Sequence, residues 1–147
     1  MYAGAAYRDI VPEVVGELER RIEAAVTAGI PADRVIIDPG IGFGKKGAQN
    51  WDVLRALPRV AGLGHRVLVG TSRKRFLAEA LGADGSGDDP AVTEARRDLA
   101  TAVTSVLAAQ AGAWAVRVHD VVATRDALRI ADQWEGQERW TSQTRSP

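Results

Sequence analysis

The chain has 147 residues, of which 46% are hydrophobic and 26% charged, with 19 basic side chains against 19 acidic ones. A formal charge of zero excludes a global field that would draw in nucleic acid or an anionic membrane, so any affinity for anions has to be local. The lack of cysteine excludes a disulfide framework, a thiolate zinc site and cysteine nucleophile chemistry, and no apolar stretch approaches the roughly 20 residues of a membrane span.

Met1-Tyr2-Ala3-Gly4 shows no basic region ahead of an apolar core, so no signal peptide is expected, and the chain reads as one cytoplasmic domain. Asp9 to Ala28 reads as an amphipathic helix, with Asp9 as cap and Pro12 in the first turn. Val14, Leu18, Ile22 and Val26 recur every fourth residue, and Gly29 ends the helix. A strand is expected over Arg34–Ile37, then a glycine-rich loop over Pro39–Gly47. Next comes a helix opening near Gln49, capped by Asn50 and running towards Leu57. Gln49, Asn50 and Trp51 carry no chemistry in this reading, and Pro58 with Gly62-Leu63-Gly64 breaks the pattern.

A second strand, Arg66–Gly70, leads into a basic helix start and a helix through Leu81, and Gly82–Pro90 has the composition of a flexible surface loop. Thr93–Gln110 is helical, with Leu99, Val103, Val106 and Leu107 as its expected buried stripe. Gly112 precedes a third strand, Ala115–Val118, and Ala123–Trp134 forms the last helix. Residues 135–147 are a polar tail with Trp140 as a possible anchor. Strands apolar on both faces, alternating with helices, predict a parallel sheet covered by helices. Three such strands leave two open edges, which suits part of a barrel better than a whole domain.

Each expected strand ends in charge, and parallel α/β folds build their sites at the carboxyl ends of strands. Asp38, ahead of Pro39-Gly40-Ile41-Gly42-Phe43-Gly44-Lys45-Lys46, suits a ring carrying N–H donors. It could accept two such bonds and stabilise positive charge on a heterocycle; the alternative is an aspartate serving a turn. The Gly42-x-Gly44-x-x-Gly47 spacing begins too late after its strand for a dinucleotide site, and no acidic residue closes the next strand. Ser72-Arg73-Lys74-Arg75 joins a hydroxyl and three cations to a helix start, which would hold a carboxylate or phosphate; the alternative is an exposed basic patch. Arg117 and His119 share one strand face with Ala113 and Ala115, while Trp114, Val116 and Val118 point the other way. They offer a fork and a further donor to phosphate oxygens, unless Asp120 is the partner of Arg117 or His119 is structural.

Taken in order, Ile37-Asp38-Pro39-Gly40-Ile41-Gly42-Phe43-Gly44-Lys45, then Gly70-Thr71-Ser72-Arg73-Lys74-Arg75-Phe76, then Arg117-Val118-His119-Asp120-Val121 resemble dihydropteroate synthase. The resemblance runs from about Tyr7 to Trp134. It implies the carboxyl-terminal part of a TIM (β/α)8 barrel, three parallel strands with flanking helices, and a partial pterin-binding domain over residues 1–134. The implied function is a transferase of folate biosynthesis that condenses (7,8-dihydropterin-6-yl)methyl diphosphate with 4-aminobenzoate.

By the same resemblance Asp38 holds the pterin ring and Lys74 lies between the two substrate sites. Gly42 and Phe43 line the pockets, and Arg117, Val118 and His119 hold the diphosphate. Arg75 stands where some relatives carry a serine. A magnesium ion is implied, with its protein ligand in the amino-terminal half of the family's barrel, and no metal ligand is assigned to this chain. The expected partners are the two small substrates and either a second copy, as a homodimer, or a separate half that completes the barrel. Neither nucleic acid nor membrane is expected, and the chain alone is expected to turn over weakly or not at all. Two other readings stay open: a half-barrel that only assembles, and a methyltetrahydrofolate-type methyltransferase fragment.

Overall fold

The computed structural model describes residues 8–136; the expected Trp140 anchor lies outside them. The first helix, α1, spans Ile10–Thr27. Asp9 sits in extended backbone ahead of it, but its side chain does not cap. Glu13, one turn in, reaches back instead, and its Oε1 accepts the backbone N–H groups of Arg8 and Asp9 at 2.8 and 2.9 Å. Ile10, Val14, Val15 and Leu18 are buried, Ile22 is half-buried, and Val26 is exposed. The apolar stripe outlasts the core it packs on, so the last turn projects past it.

A 3-10 turn at Ala32–Arg34 takes up the start of the expected first strand and leaves only Ile36–Ile37 as β1. The next helix, α2, spans Gly47–Arg55 and takes in the end of the expected glycine loop. Asn50 is not its cap: Lys46 is, and the Gln49 side chain accepts the Lys46 backbone N–H at 2.9 Å. Pro58 does not end the helical run either. It lies in the first turn of a second short helix, α3 (Leu57–Ala61), where its missing N–H would be unpaired anyway.

Strand β2 is Arg66–Val69, and helix α4, Arg75–Leu81, follows it. Helix α5 spans Glu94–Gln110, strand β3 Ala115–Val116 and helix α6 Val121–Glu135. The α6 helix begins two residues earlier than the sequence suggested, because Asp120 caps it by accepting the Ala123 N–H at 2.9 Å.

The buried face of α5 reverses the expectation. Leu99, Val103 and Leu107 are exposed and Val106 is half-buried, and Thr101, Ala102, Thr104, Ser105 and Ala108 face the core. The hydroxyls are satisfied within the helix: Thr101 donates to the Arg97 carbonyl at 2.8 Å, Thr104 to Ala100 at 2.9 Å and Ser105 to Thr101 at 2.7 Å. So bonded, they pack as small side chains and let α5 come close to the β2–α4 connection.

The strands lie in the order β1-β2-β3, all parallel, pairing Ile36 with Arg66, Ile37 with Val67, Leu68 with Ala115 and Val69 with Val116. Ile37, Val67 and Val69 are buried under the helices with Val53, Leu57, Val60, Phe76 and Leu77. The opposite face carries exposed Ile36 and half-buried Leu68, so only one of the two apolar faces is covered. Trp114, expected to pack on helices, is half-exposed and lies under the Arg66 guanidinium, 5.0 Å from its carbon to the ring centre. Three parallel strands with one face bare and both edges unpaired among the described residues form a slice of a (β/α)8 barrel.

Candidate active site

Because the strands are parallel, their carboxyl ends lie on one edge. Asp38 follows β1, Gly70 follows β2 and Arg117 follows β3. Stepping by twos from the pairs Ile36–Arg66 and Leu68–Ala115 puts Asp38, Gly70 and Arg117 on the bare face. Gly70 is small for a reason visible in the geometry: a Cβ there would stand 3.0 Å from Arg117 Nη2. The guanidinium therefore crosses over β2 and comes within 3.5 Å of Asp38 Oδ2. The other carboxylate oxygen of Asp38 accepts the Gly40 N–H at 2.8 Å. One oxygen thus serves the turn and the other faces Arg117. Asp120, the alternative partner for Arg117, is occupied by its cap.

The loop after β1 alternates left-handed glycines (Gly40, Gly42 and Gly44, φ +67, +79 and +64) with apolar residues. Ile41 points into the core and is fully buried, while Phe43 points out and is half-exposed. Gly42 donates its N–H to Asn50 Oδ1 at 2.6 Å, and buried Asn50 donates to the Lys46 carbonyl at 3.3 Å. Asn50 therefore ties the loop to α2 from inside.

Two ammonium groups hold the loop from outside. Lys45 donates to the Gly40 carbonyl at 2.7 Å, and Lys74 donates to the Ile41 carbonyl. Lys74 Nζ also lies 4.4 Å from the centre of the Phe43 ring. A Cβ on Gly42 would meet Lys74 Cδ at 2.5 Å, so only glycine lets that side chain pass. Burial is the main cause that pulls both lysines below the usual amine range. Asp38 opposes the fall in each, and Arg117 adds a like-charge push on Lys74.

The expected cluster of three cations after β2 does not form. Arg73, in left-handed backbone at φ +56, turns to α5, where its Nε and Nη2 meet the two oxygens of Asp98 at 2.7 and 2.8 Å and its Nη1 meets Glu94 at 2.9 Å. Hydrogen bonding to Arg73 holds the Asp98 carboxyl below the usual range. Arg75 turns to Glu79 and the Gly82–Pro90 loop, donating to the Ser86 carbonyl at 2.7 Å. Only Lys74 faces the β1 loop. The reversal of the chain at Arg73 sends consecutive side chains to different sides.

His119 joins the site through Ser72, with Nδ1 2.7 Å from its Oγ, and half-buried Val118 lies between Arg117 and His119. The geometry therefore gathers Asp38, Gly42, Phe43, Lys74 and Arg117, while His119 is held separately, by Ser72. Lys45, Asn50 and Asp98 went unassigned in the sequence reading. Lys45 was visible as a lysine after three spaced glycines, whereas nothing local marked Asn50 or Asp98. A cleft of about 710 Å3 opens between α1 and this loop, walled by Pro12, Gly16 and Glu17 on one side and Asp38, Phe43 and Lys45 on the other; Lys74, Arg117 and His119 do not line it.

A family model described as pterin binding enzyme matches residues 1–119. The dihydropteroate synthase of Mycobacterium leprae (strain TN) is 48% identical over 134 residues, covering 90% of this chain and 46% of that protein. One from Streptococcus pyogenes serotype M1 is 39% identical over 127 residues, covering 86% and 45%. Among solved structures, Xanthomonas albilineans dihydropteroate synthase with 4-aminobenzoic acid superposes with a TM-score of 0.82 at 41% identity, over 92% of this chain and 46% of that one. The same enzyme in complex with 7,8-dihydropteroate gives 0.82 and 41%, over 94% and 51%. The chain thus spans about half the length of the relatives it matches. It belongs to the pterin-binding enzyme family.

Proposed function

We propose that this chain supplies one half of a dihydropteroate synthase site. The observation that carries the reading is Arg117 lying across Gly70 to Asp38 while Lys74 closes on Gly42 and Phe43 from the same side. In the reaction the bond between the pterin methylene carbon and the diphosphate oxygen breaks, and diphosphate leaves with the electron pair. The amine of 4-aminobenzoate forms the new carbon–nitrogen bond and gives up a proton. Asp38 accepts ring N–H groups and stabilises the positive charge that develops on the pterin. Arg117 and His119 receive the departing negative charge, and on substrate entry Arg117 exchanges Asp38 for phosphate oxygens. Lys74 and Phe43 separate and orient the two rings, so that much of the acceleration is positional.

The expected magnesium does not fit the residues of this chain alone. Among the described residues no three His, Cys, Asp or Glu side chains gather, and Asp38 faces a cation and a turn. We infer that its protein ligand lies on the other half, and no step above runs through it. A methyltetrahydrofolate-type reaction gains no support, because its donor carries no diphosphate for Arg117 and His119. No helix of the described residues is long and apolar enough to cross a membrane, and we propose a cytoplasmic setting in keeping with folate synthesis.

The bare sheet face and the unpaired edges of β1 and β3 call for a partner half. Leu99, Val103 and Leu107 on α5 and Ile130 and Trp134 on α6 are exposed apolar side chains that we assign to a homodimer. Light scattering of the chain alone and mixed with the remaining half of a similar synthase tests both. Diphosphate release is expected only in the mixture, and the chain alone is expected at twice its 15.7 kDa mass, reverting to monomer with Val103→Glu. A mixture that neither associates nor turns over removes the complementation reading. A chain that stays monomeric at every concentration removes the dimer.

A further inference from the structure

We infer that Ser72 fixes the tautomer and direction of the His119 ring, which makes it a positioning residue for the anion end of the site. Ser72 follows β2 and is buried, with a relative exposure of 8%. Its Oγ lies 3.0 Å from the His119 backbone nitrogen and 2.7 Å from His119 Nδ1. The backbone N–H donates, so Oγ accepts there. A hydroxyl has a single proton to give, and among the described residues no other acceptor lies within hydrogen-bond distance of Oγ. Nδ1 is therefore the acceptor and the ring proton sits on Nε2. The opposite tautomer would point Nδ1–H at Oγ and leave the hydroxyl proton without an acceptor among the described residues.

Ser72 is itself held from both sides. Thr71 Oγ1 bonds Thr104 Oγ1 on α5 at 2.8 Å, and the Arg73 N–H donates to Thr101 Oγ1 at 3.2 Å. The left-handed backbone of Arg73, secured by Asp98, aims Ser72 at the end of β3 and Lys74 at the loop after β1. Non-glycine residues in that conformation survive where the surroundings over-determine them. Here the surroundings are the hydroxyl-lined face of α5. His119, exposed beyond Ser72, then presents a pre-aimed Nε2–H to an anion oxygen while neutral. Only this last step rests on the diphosphate reading above.

Long-range proton–nitrogen NMR of the imidazoles in the whole 15N-labelled chain tests the first step. The chain has 2 histidines, so His65→Gln assigns the signals. With the ring neutral, His119 is expected as a single tautomer, with Nδ1 unprotonated and Nε2 protonated. Ser72→Ala and Ser72→Cys are expected to relax it to a mixture. A wild-type ring protonated on Nδ1, or ring signals unchanged in both variants, overturns the inference.

Calorimetry with inorganic diphosphate, on the chain paired with the remaining half of a similar synthase, tests the second step. Affinity is expected to fall about tenfold in Ser72→Ala, the size of one hydrogen bond. Equal affinity in wild type and variant, with the tautomer released, overturns the positioning role. No diphosphate binding by the paired wild type, with the tautomer as stated, supports the hold of Ser72 on the ring and overturns the diphosphate reading instead.

Discussion

Arg117→Ala is expected to weaken binding of the pterin diphosphate by about 1.5–3 kcal/mol, the range for a hydrogen bond to a charged group. That is roughly a ten- to hundredfold rise in Kd by calorimetry, against the chain paired with its other half. The side chain is 59% exposed where it meets Asp38, so its loss alone leaves the fold largely unperturbed. The effect is expected from the ligand complex, in which the proposed role sets the fork against phosphate oxygens. Binding of 4-aminobenzoate, which carries no diphosphate, is expected to change much less. Equal losses for the two substrates would remove Arg117 from the diphosphate site.

The same substitution has a second signature. Lys74 sits below its ordinary 10.5 chiefly through burial, with Arg117 pushing it further down and Asp38 pulling it up. Deleting Arg117 removes the repulsion, so Lys74 is expected to titrate higher in Arg117→Ala, as followed by NMR of its Cε protons. The sign for stability follows. Between the folded-state pKa of Lys74 and 10.5 the unfolded chain binds more protons than the folded one, so stability rises with pH through that window. The rise contributed by Lys74 is expected to shrink in Arg117→Ala. A Lys74 titration that does not move, or moves down, would show that the two cations do not sense each other.

The strand ends were legible because an apolar run that stops at an ionisable residue is a local signal, and parallel order follows from the helices between strands. Asp38, Lys74 and Arg117 could therefore be placed on one edge before any coordinates. The buried face of α5 was not legible. Leu99, Val103 and Leu107 keep a helical period and outrank threonine on any hydropathy scale. Hydroxyls bonded to carbonyls four residues back cease to be polar towards the core, and no periodicity rule registers that. Residues at the face of a barrel slice also need not be buried by the slice itself. The fate of the basic run was hidden for a different reason. Whether Arg73 faces ligand or protein depends on Asp98, 25 positions away, and on a φ of +56 that no arginine advertises. Asn50 looked like a cap because asparagine near a helix start usually is one. Its partner, the Gly42 N–H, lies in the loop before the helix.

Ile41→Ala is expected to lower the unfolding free energy by about 2–5 kcal/mol and Ile41→Val by about 0.5–1.5, measured by urea denaturation with an unchanged slope. Ile41 is fully buried between two left-handed glycines and packs in the same cluster as Val53 and Leu57. Its carbonyl is also the acceptor for Lys74. The side chain therefore anchors the loop to the core while its backbone receives the Lys74 ammonium. Truncation frees that carbonyl to move and is expected to weaken binding of both substrates together. Phe43, two residues on and half-exposed, supplies the contrast. With its ring outside the core, Phe43→Ala is expected to change stability by less than about 0.5 kcal/mol. It takes away the face over which Lys74 lies, so ring binding falls without loss of the fold. If Phe43→Ala destabilises as much as Ile41→Ala, the loop does not alternate between core and site as described, and Lys74 has no fixed platform on which to hold two rings apart.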